Sequence, residues 1–443
     1  MLEKKSGFFY YWFLNATSTF LDEGRYLIEA FPFSLGKEGP TSTSEFILDK
    51  TSPQTPQNLA VFYDREKDEL ILSWQKVEDF SGISHYQISW RIGAEQNSIM
   101  TTTTKENKFS IKNPLNEEYA FKVMAYDQAG LWSDWSQEIK FKDKMQDWPL
   151  RKVVLIDNSQ NANVLIDFEV NVEIFYQSEM NEDFSDIRFT DSDGQTFLDF
   201  GWEIDDQGKE LKINKEKATA VVKIPFLGAY ETKKVYLYYG NPSAAAVADL
   251  RKAMTWFDHF TDANTASNYE TAYFNWGTGS SRLVLNTREV DAYLIPKNLL
   301  IKNFILKIST LCDYGYHGTW DGVFVGWRYQ DENNWLGQKK DRSSDGYHNL
   351  QKQKDGLRSG YKTLFQYDTQ SGNPWQITTV SAYETEIKFE HTLSGSYNFI
   401  EPDLNQPGKI KISRYSQYAN HFFIDYLYLR QNTKPMPSTS VEW

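Results

Sequence analysis

The C-terminal half of the 443-residue chain carries a concentration of aromatic side chains that could bind a flat, hydroxyl-rich ligand. Tyr314–Gly322 reads YGYHGTWDG, where aromatic residues alternate with permissive glycines, as is typical of a binding loop. Aromatic rings stack on the C–H faces of sugars, while nearby amides and carboxylates bond the hydroxyl groups. The alternative is that half of these rings fill a core. The candidate sugar-binding residues are Tyr314, Tyr316, His317, Trp320, Trp327, Trp335 and Trp375.

A pair of aspartates forms a second pattern, one that could bind a metal ion. Asp191-Ser192-Asp193-Gly194 has the D-x-D-G order with which calcium loops begin. A complete EF-hand loop is excluded, because the twelfth residue counted from Asp191 is Trp202 rather than Glu. Asp191 and Asp193 are therefore candidate calcium ligands, and the alternative is a hairpin turn with acidic tips.

The elements that must position these residues are β-strands. Aromatic residues make up 16% of the chain, and they favour the pleated faces of β-sandwiches. Short alternating segments recur between turn-rich gaps, and helix-length periodicity is absent. We expect an all-β protein built of tandem antiparallel β-sandwiches.

Charge and cysteine content exclude several classes of protein. The net charge of −13 argues against a nucleic-acid partner and against adsorption to anionic lipid. Cys312 is the single cysteine, so no intrachain disulfide forms, and we expect it to be a buried apolar residue.

No apolar run approaches the roughly 20 residues of a membrane span. Phe8–Leu14 is better interpreted as a strand than as a signal peptide, so we expect a fragment with its export signal upstream.

Two modules are indicated before residue 147. Phe46–Lys50, followed by Thr51-Ser52-Pro53, resembles the last strand of bacterial immunoglobulin-like repeats, which implies a partial immunoglobulin-like domain over residues 1–50. Residues 53–142 carry strands, turns and a tyrosine corner at Tyr119 in the order of a fibronectin type III module, which they resemble.

Trp132 and Trp135 lie in a WSDWS stretch that resembles the WSxWS box of cytokine receptors. Two Trp rings on one strand face can alternate with cations such as Arg91 and Lys122 in cation–π layers. A receptor-type signalling role is the alternative. We favour structural reinforcement of a strand edge, with Trp132, Trp135 and Tyr119 as structural residues.

Residues 147–255 carry three ordered motifs, WPLRKVVLIDN, DFSDIRFTDSDG and VYLYYGNPSA, and a fourth, WFDHF, follows at the exit as residues 256–260. Together they resemble domain of unknown function family 2341, which the resemblance places in bacterial and archaeal surface proteins. Its strands alternate as in a sandwich or jelly roll. The family implies no molecular role.

Residues 256–434 contain at least seven predicted strands and resemble concanavalin A-like lectin/glucanase domains, including laminin G-like modules. The resemblance implies a jelly roll whose concave sheet is a sugar platform. It also implies a structural calcium ion joining the first and last strands, which would make Asp258 and Asp425 ligands. The alternative is two strand carboxylates that face solvent or pair with Arg.

Catalytic motifs are missing. Glucanases of this fold carry an E-x-D-x-x-E strand. Glu289-Val290-Asp291 and Glu203-Ile204-Asp205 begin that pattern without its third acid, and Glu384-Thr385-Glu386 lacks the Asp. The six histidines show no metal-ligand spacing, and neither G-x-S-x-G nor a phosphate loop occurs. We therefore expect no catalysis.

The sequence thus predicts a non-catalytic, extracellular cell-surface protein that binds carbohydrate or adheres through its lectin-like domain. A glycan or cell-envelope polymer is the expected partner, with self-association also considered, and calcium is the only cofactor considered. A structural stalk or filament subunit is the first alternative. The accessory region of a larger polysaccharide-degrading enzyme is the second. Residues 435–443, rich in Pro, Ser and Thr, are predicted to be a linker or tail.

Overall fold

The computed structural model divides the chain into two units, Met1–Gln146 and Asp147–Trp443, and each is described by itself. The structure describes residues 2–443 except 6–8, 13–20, 31–32, 35–36, 39, 66, 94–98, 116, 214–215, 273–274, 277–282, 286–291, 313–322, 341–346, 367–374, 393–394 and 415–421.

The described residues among the first 50 form three two-stranded ladders. β1 pairs with β2, β3 with β6, and β4 with β5, all antiparallel. The strands are β1 (Leu2–Lys5), β2 (Phe9–Trp12), β3 (Gly24–Ala30), β4 (Phe33–Ser34), β5 (Lys37–Glu38) and β6 (Ser42–Leu48).

A two-sheet sandwich, the fibronectin-like module, follows. Its sheets have the strand orders β10-β9-β12-β13 and β11-β8-β7. The strands are β7 (Ala60–Asp64), β8 (Glu69–Ser73), β9 (Ile83–Ile92), β10 (Met100–Thr104), β11 (Lys108–Lys112), β12 (Tyr119–Asp127) and β13 (Ile139–Phe141). Alternation on β8 and β9 directs Leu72 and Ile88 into the core. Tyr119 is buried beside them, and its hydroxyl accepts a hydrogen bond of 2.7 Å from the Leu115 amide, as a tyrosine corner requires.

The serines of the WSDWS stretch reinforce the edge of β12, and the ring of Trp132 lies 6.2 Å from that of Tyr126 on the same strand. Ser133 Oγ accepts from the Ala125 amide and Ser136 Oγ from the Val123 amide, each at 3.0 Å. Trp132 and Trp135 are exposed. Arg91, expected to stack between these rings, instead forms an ion pair of 3.0 Å with Glu138.

The second unit begins with a sandwich that we call the hub. Its two sheets have the orders β16-β20-β14-β36 and β15-β19-β17, with β18 beside β19. The hub strands are β14 (Leu150–Asp157), β15 (Leu165–Phe175), β16 (Arg188–Thr190), β17 (Phe200–Trp202), β18 (Lys212–Ile213), β19 (Lys217–Leu227), β20 (Thr232–Tyr239) and β36 (Ser438–Val441). Val154, Val172, Val222 and Leu237 are fully buried between these sheets.

A short connection leads from the hub into a larger sandwich, the jelly roll. The helix α1 (Leu250–Ala253) has Asp249 as its N-cap, and a 3₁₀ turn covers Ala263–Asn268. The strands are β21 (Trp256–Asp258), β22 (Tyr269–Ala272), β23 (Asn275–Trp276), β24 (Leu283–Leu285), β25 (Tyr293–Pro296), β26 (Phe304–Cys312), β27 (Val323–Asp331), β28 (Asn334–Lys340), β29 (Tyr347–Lys354), β30 (Leu357–Gln366), β31 (Gln376–Tyr383), β32 (Glu386–His391), β33 (Gly395–Ile400), β34 (Lys409–Arg414) and β35 (Phe422–Gln431).

Two large sheets enclose the jelly-roll core. The eight-stranded sheet runs β23-β24-β35-β26-β31-β32-β33 with β21 also on β35, and the seven-stranded sheet runs β22-β25-β34-β27-β28-β29-β30. Leu306 and Val380 of the first sheet meet Val325 and Ile412 of the second in one buried cluster. The all-β architecture of antiparallel sandwiches with a jelly roll, predicted from the sequence, is confirmed.

The C-terminal segment corrects the prediction of a linker over residues 435–443. β36 returns to the hub and pairs antiparallel with β14, where Val154 lies opposite Val441. Thr439 Oγ1 donates a hydrogen bond of 2.6 Å to the Asn171 carbonyl, and Val441 packs against the hub core. The hub therefore needs strands from both ends of the second unit.

Deleting residues 438–443 is expected to lower the free energy of unfolding of the second unit by about 1–2 kcal/mol. The deletion exposes one edge of β14 and removes the apolar contact of Val441. Urea denaturation measures the change. Removal of residues 442–443 alone is the control and should cost less, and equal stability of the long deletion and the full chain would contradict a structural role for β36.

Candidate ligand groove

The outer face of the eight-stranded jelly-roll sheet provides the floor of a groove. On β31 burial alternates strictly, so Val380 points into the core while Thr379 points outward. The cross-strand register aligns Lys307 with Thr379 and Thr379 with Glu390. A row of charged and hydroxyl side chains therefore crosses adjacent strands on the face away from the core.

A turn of the hub forms the opposite wall. Gly208 has a φ of +75°, and its amide donates to the Asp205 carbonyl at 3.1 Å. Asp205 Oδ1 accepts from the amides of Gln207 (2.7 Å) and Lys209 (2.9 Å), which closes the turn. A Cβ atom on Gly208 would lie 3.0 Å from the Tyr426 ring, so glycine allows the turn to approach β35 closely.

Alternate residues of β35 hold the wall to the floor. Tyr426, Tyr428 and Arg430 point away from the jelly-roll core, and the two tyrosines pack with Ile204, Val221 and Met254 in a separate buried cluster. This cluster is a hydrophobic contact between the two sandwiches.

Tyr428 and Arg430 also form hydrogen bonds between the two sandwiches. The Tyr428 hydroxyl donates to Glu203 Oε2 at 3.0 Å. Arg430 donates to Asn171 Oδ1 at 2.7 Å and to the Glu169 carbonyl at 2.8 Å. Burial raises the pKa of the Tyr428 hydroxyl, so it remains a donor at neutral pH.

A second polar contact sits beside Arg430. The fully buried Glu169 carboxylate accepts from the Gln431 amide (3.1 Å) and from Thr255 Oγ1 (2.6 Å). Buried polar groups that are bonded in this way fix one relative placement of the hub and the jelly roll.

Between wall and floor lies a cavity of about 1220 Å³. Lys307 and Asp206 face each other across it with an ion pair of 2.6 Å. Trp375 and Ile377 also line it. The other lining residues are mainly polar, among them Glu203, Gln207, Lys209, Ser309, Thr379, Glu390, Thr392, Ser396 and Asp425.

Of the seven predicted sugar-binding residues, one faces this groove. Trp375 lines it, whereas Tyr314, Tyr316, His317 and Trp320 lie outside the described residues.

The prediction is wrong for Trp327 and Trp335. Trp327 is fully buried in the jelly-roll core, with its ring stacked 6.1 Å from that of Phe389. Trp335 is buried edge-on against Phe324 at 4.8 Å. Neither ring presents a face on which a sugar could stack, because core packing already covers both.

The aspartates of the hub turn form protein contacts. Asp191 forms an ion pair of 2.9 Å with Lys233. Asp193 Oδ1 accepts from the amides of Gln195 and Thr196, both at 2.8 Å, as in a side-chain-capped turn. These contacts fit the interpretation as a hairpin turn with acidic tips.

Asp258 and Asp425 lie on the two strands expected to meet, because β21 pairs with β35. Asp258 is buried and accepts from the Phe260 amide (2.7 Å) and the Tyr269 hydroxyl (3.1 Å). Burial raises its pKa despite these bonds. Asp425 sits at a shift in the β26–β35 register and lines the groove. In the described part of the chain, neither aspartate joins a group of three metal-ligating side chains.

The interface residues Glu203, Lys307, Tyr428 and Arg430 were not predicted. The alternation of FIDYLYLR in β35 gave a signal, since Tyr426, Tyr428 and Arg430 occupy one strand face. A strand face with two large tyrosines and an arginine is suited to covering by another domain rather than by water.

Two family matches agree with the predicted domain order. Residues 57–134 match the PBP1-like, fibronectin3-like domain, and residues 183–279 match a domain of unknown function, DUF2341. The second match begins at the DFSDIRFTDSDG motif and runs through α1 and β21 into the jelly roll. It therefore spans the junction between the two sandwiches. No curated protein matches the chain.

Three solved structures are similar to part of the chain at low sequence identity. The catalytic domain of an endo-1,3-beta-glucanase from Thermotoga petrophila RKU-1 is 11% identical, with a TM-score of 0.30, over 41% of this chain and 98% of that one. Carbohydrate-binding module CBM66 from Bacillus subtilis is 11% identical, with a TM-score of 0.29, over 37% and 96%. A beta-1,3-glucanase from Mycobacterium marinum is 11% identical, with a TM-score of 0.30, over 40% and 98%.

None of the helices among the described residues has the length and apolarity needed to cross a membrane.

Proposed function

We propose that the second unit binds an extracellular or cell-envelope glycan, without catalysis, in the groove between the hub and the jelly roll. The observation that carries the proposal is the groove itself, whose volume of about 1220 Å³ is lined by hydroxyl, amide and charged side chains together with Trp375. An apolar ligand would remove these polar groups from water without offering them hydrogen bonds. A chain of sugar rings offers hydroxyls along its length and apolar C–H faces for the indole.

The groove suits binding better than hydrolysis. A glycosidase needs a pair of carboxyl groups, one of them protonated as the general acid. Here Glu203 accepts from Tyr428, Asp206 is paired with Lys307, and Glu390 is paired with Lys388 at 2.8 Å. These carboxylates act as acceptors that hold donors in place, which is what recognition of sugar hydroxyls requires.

Replacing Trp375 with alanine is expected to weaken glycan binding about tenfold, which corresponds to about 1.4 kcal/mol, because one stacking face is lost. The full-length chain is screened on a glycan array, and affinity for the best glycan is then measured by calorimetry. Trp132→Ala is the matched control, since it removes an exposed indole from the fibronectin-like module. Wild-type affinity in the Trp375 variant, or an array without any bound glycan, would overturn the proposal.

A structural spacer is the second candidate. Tyr426 and Tyr428 form a buried contact with the hub, and β36 returns to pair with it. These contacts hold the hub and the jelly roll in one rigid arrangement. Such stiffness suits a stalk on a cell surface. An empty glycan array combined with concentration-dependent filament formation, seen by light scattering and electron microscopy, would favour this function.

A further inference from the structure

Three aspartates meet at one pole of the fibronectin-like module. Asp49 follows β6, Asp79 lies in the loop between β8 and β9, and Asp127 is the last residue of β12. One carboxylate oxygen from each lies within 4.8 Å of the other two. Asp49 and Asp127 are buried and Asp79 is half-buried.

The loops hold these carboxylates in fixed positions. The Ser81 amide lies between two of them, at 3.2 Å from Asp49 Oδ2 and 3.0 Å from Asp79 Oδ1. The Leu131 amide donates to Asp127 Oδ1 at 2.8 Å. The Thr51 amide donates to Asp49 Oδ1 at 3.1 Å.

The second oxygen of Asp127 is the observation that points to a ligand. Asp127 is only 2% exposed, and its Oδ2 atom is buried without a hydrogen-bond partner. A buried carboxylate oxygen without a donor is costly, and two further carboxylates nearby increase the cost. Among the described residues, no lysine or arginine forms an ion pair with these aspartates.

We propose that Asp49, Asp79 and Asp127 bind a divalent cation, with calcium as the preferred ion. Three carboxylate oxygens this close to one another can reach a single ion. Magnesium usually keeps several waters and is held by one or two carboxylates, whereas a set of three protein carboxylates suits calcium. Hard carboxylate oxygens are also the ligands that calcium takes in proteins.

The ion would fasten three separate parts of the first unit. One ligand comes from the segment that follows the β3–β6 ladder, one from the loop between β8 and β9, and one from the end of β12. Such a clamp provides a cross-link that a chain with one cysteine cannot form as a disulfide.

Calcium titration of the full-length chain tests the site by calorimetry and by thermal unfolding. Calcium at millimolar concentration is expected to raise the midpoint of one transition by about 5 °C, and a chelator should reverse the rise. Asp79→Asn is the main variant, because this half-buried side chain tolerates an isosteric change. It should bind calcium at least tenfold more weakly.

The sign of the effect of Asp79→Asn distinguishes a cation site from a merely repulsive cluster. In chelator the variant should unfold at or above the wild-type midpoint, because one of three like charges is gone. In calcium it should unfold below wild type. Asp134→Asn, an exposed change in the same module, and Asp191→Asn and Asp425→Asn, in the second unit, should titrate like wild type.

Two results would overturn the proposal. One is a wild-type chain whose unfolding midpoint and calorimetric trace do not respond to calcium. The other is an Asp79→Asn variant that keeps the wild-type calcium response, which would place the bound ion elsewhere. Asp127→Asn gives an independent measurement, and calcium binding with wild-type affinity by a folded Asp127 variant would likewise reject the site.

Discussion

Replacing Arg430 with methionine lowers the free energy of unfolding of the second unit by about 3 kcal/mol. Arg430 is 7% exposed and lies between the two sandwiches. It donates to Asn171 Oδ1 and to the Glu169 carbonyl, and its guanidinium is 4.0 Å from Glu203. Methionine fills a similar volume but removes the donor from the buried Glu169 carbonyl, and a buried acceptor that loses its donor carries a desolvation cost.

Loss of the Arg430 side chain should also change the number of unfolding transitions. With Arg430 in place, the hub and the jelly roll share a buried contact and are expected to unfold in one transition. Without it, the hub should separate from the jelly roll first, so calorimetry should show two transitions. Because the groove lies between the sandwiches, glycan affinity should fall with the first transition rather than with the second.

Lys388→Met is the matched control for Arg430→Met. Lys388 lies on the same eight-stranded sheet, and its side chain is half exposed in an ion pair with Glu390. Loss of an exposed pair costs about 0–1 kcal/mol. Chemical denaturation and scanning calorimetry measure the loss of stability in both variants. Equal losses would show that Arg430 does not hold the sandwiches together.

Sequence alternation predicts the strands and also bears on Trp327. Val325 and Trp327 share one face of β27, and the valine identifies it as a core face. Trp327 could therefore have been assigned to the core. The same reasoning on β35 identifies Tyr428 and Arg430 as a face that needs a partner.

Contacts over long chain separations could not be predicted in this way. Asp191 and Lys233 are 42 residues apart, and no local pattern links them. The register shift beside Asp425 interrupts alternation on β35 at the residue on which the predicted calcium site depended. The Pro- and Ser-rich composition of residues 435–443 concealed β36, whose pairing with β14 is set by the free edge of the hub.

The stability of the jelly roll should fall as the pH is lowered from 7 to 5, because of His391. This side chain, at the end of β32, is 5% exposed and stacks on Phe389 with ring centroids 6.3 Å apart. Burial penalises the imidazolium and lowers the pKa of His391 to about 4, below the ordinary value of 6.5.

The sign of this pH effect follows from which state binds the proton. Between pH 6.5 and 4 the unfolded chain holds His391 protonated while the folded chain holds it neutral. The contribution of neutral His391 to the free energy of unfolding is therefore complete above pH 6.5 and is lost progressively down to pH 4. Over the interval from pH 7 to 5 the expected loss is about 2 kcal/mol from this one group. Burial lowers the pKa of His259 as well, so it adds a loss in the same direction.

His391→Gln isolates the contribution of His391 to this pH dependence, since glutamine keeps a polar side chain of similar size without titrating. The variant is expected to be less stable than wild type at pH 7, yet its stability should change by about 2 kcal/mol less between pH 7 and 5. Denaturant titrations at both pH values, with His85→Gln in the fibronectin-like module as control, measure the difference. A wild-type pH dependence in His391→Gln would mean that the imidazole is protonated within the fold, and the acid sensitivity would then arise elsewhere. Because His391 also borders the groove, a confirmed effect would make glycan binding acid-sensitive through unfolding of its floor rather than through protonation of the ligand site.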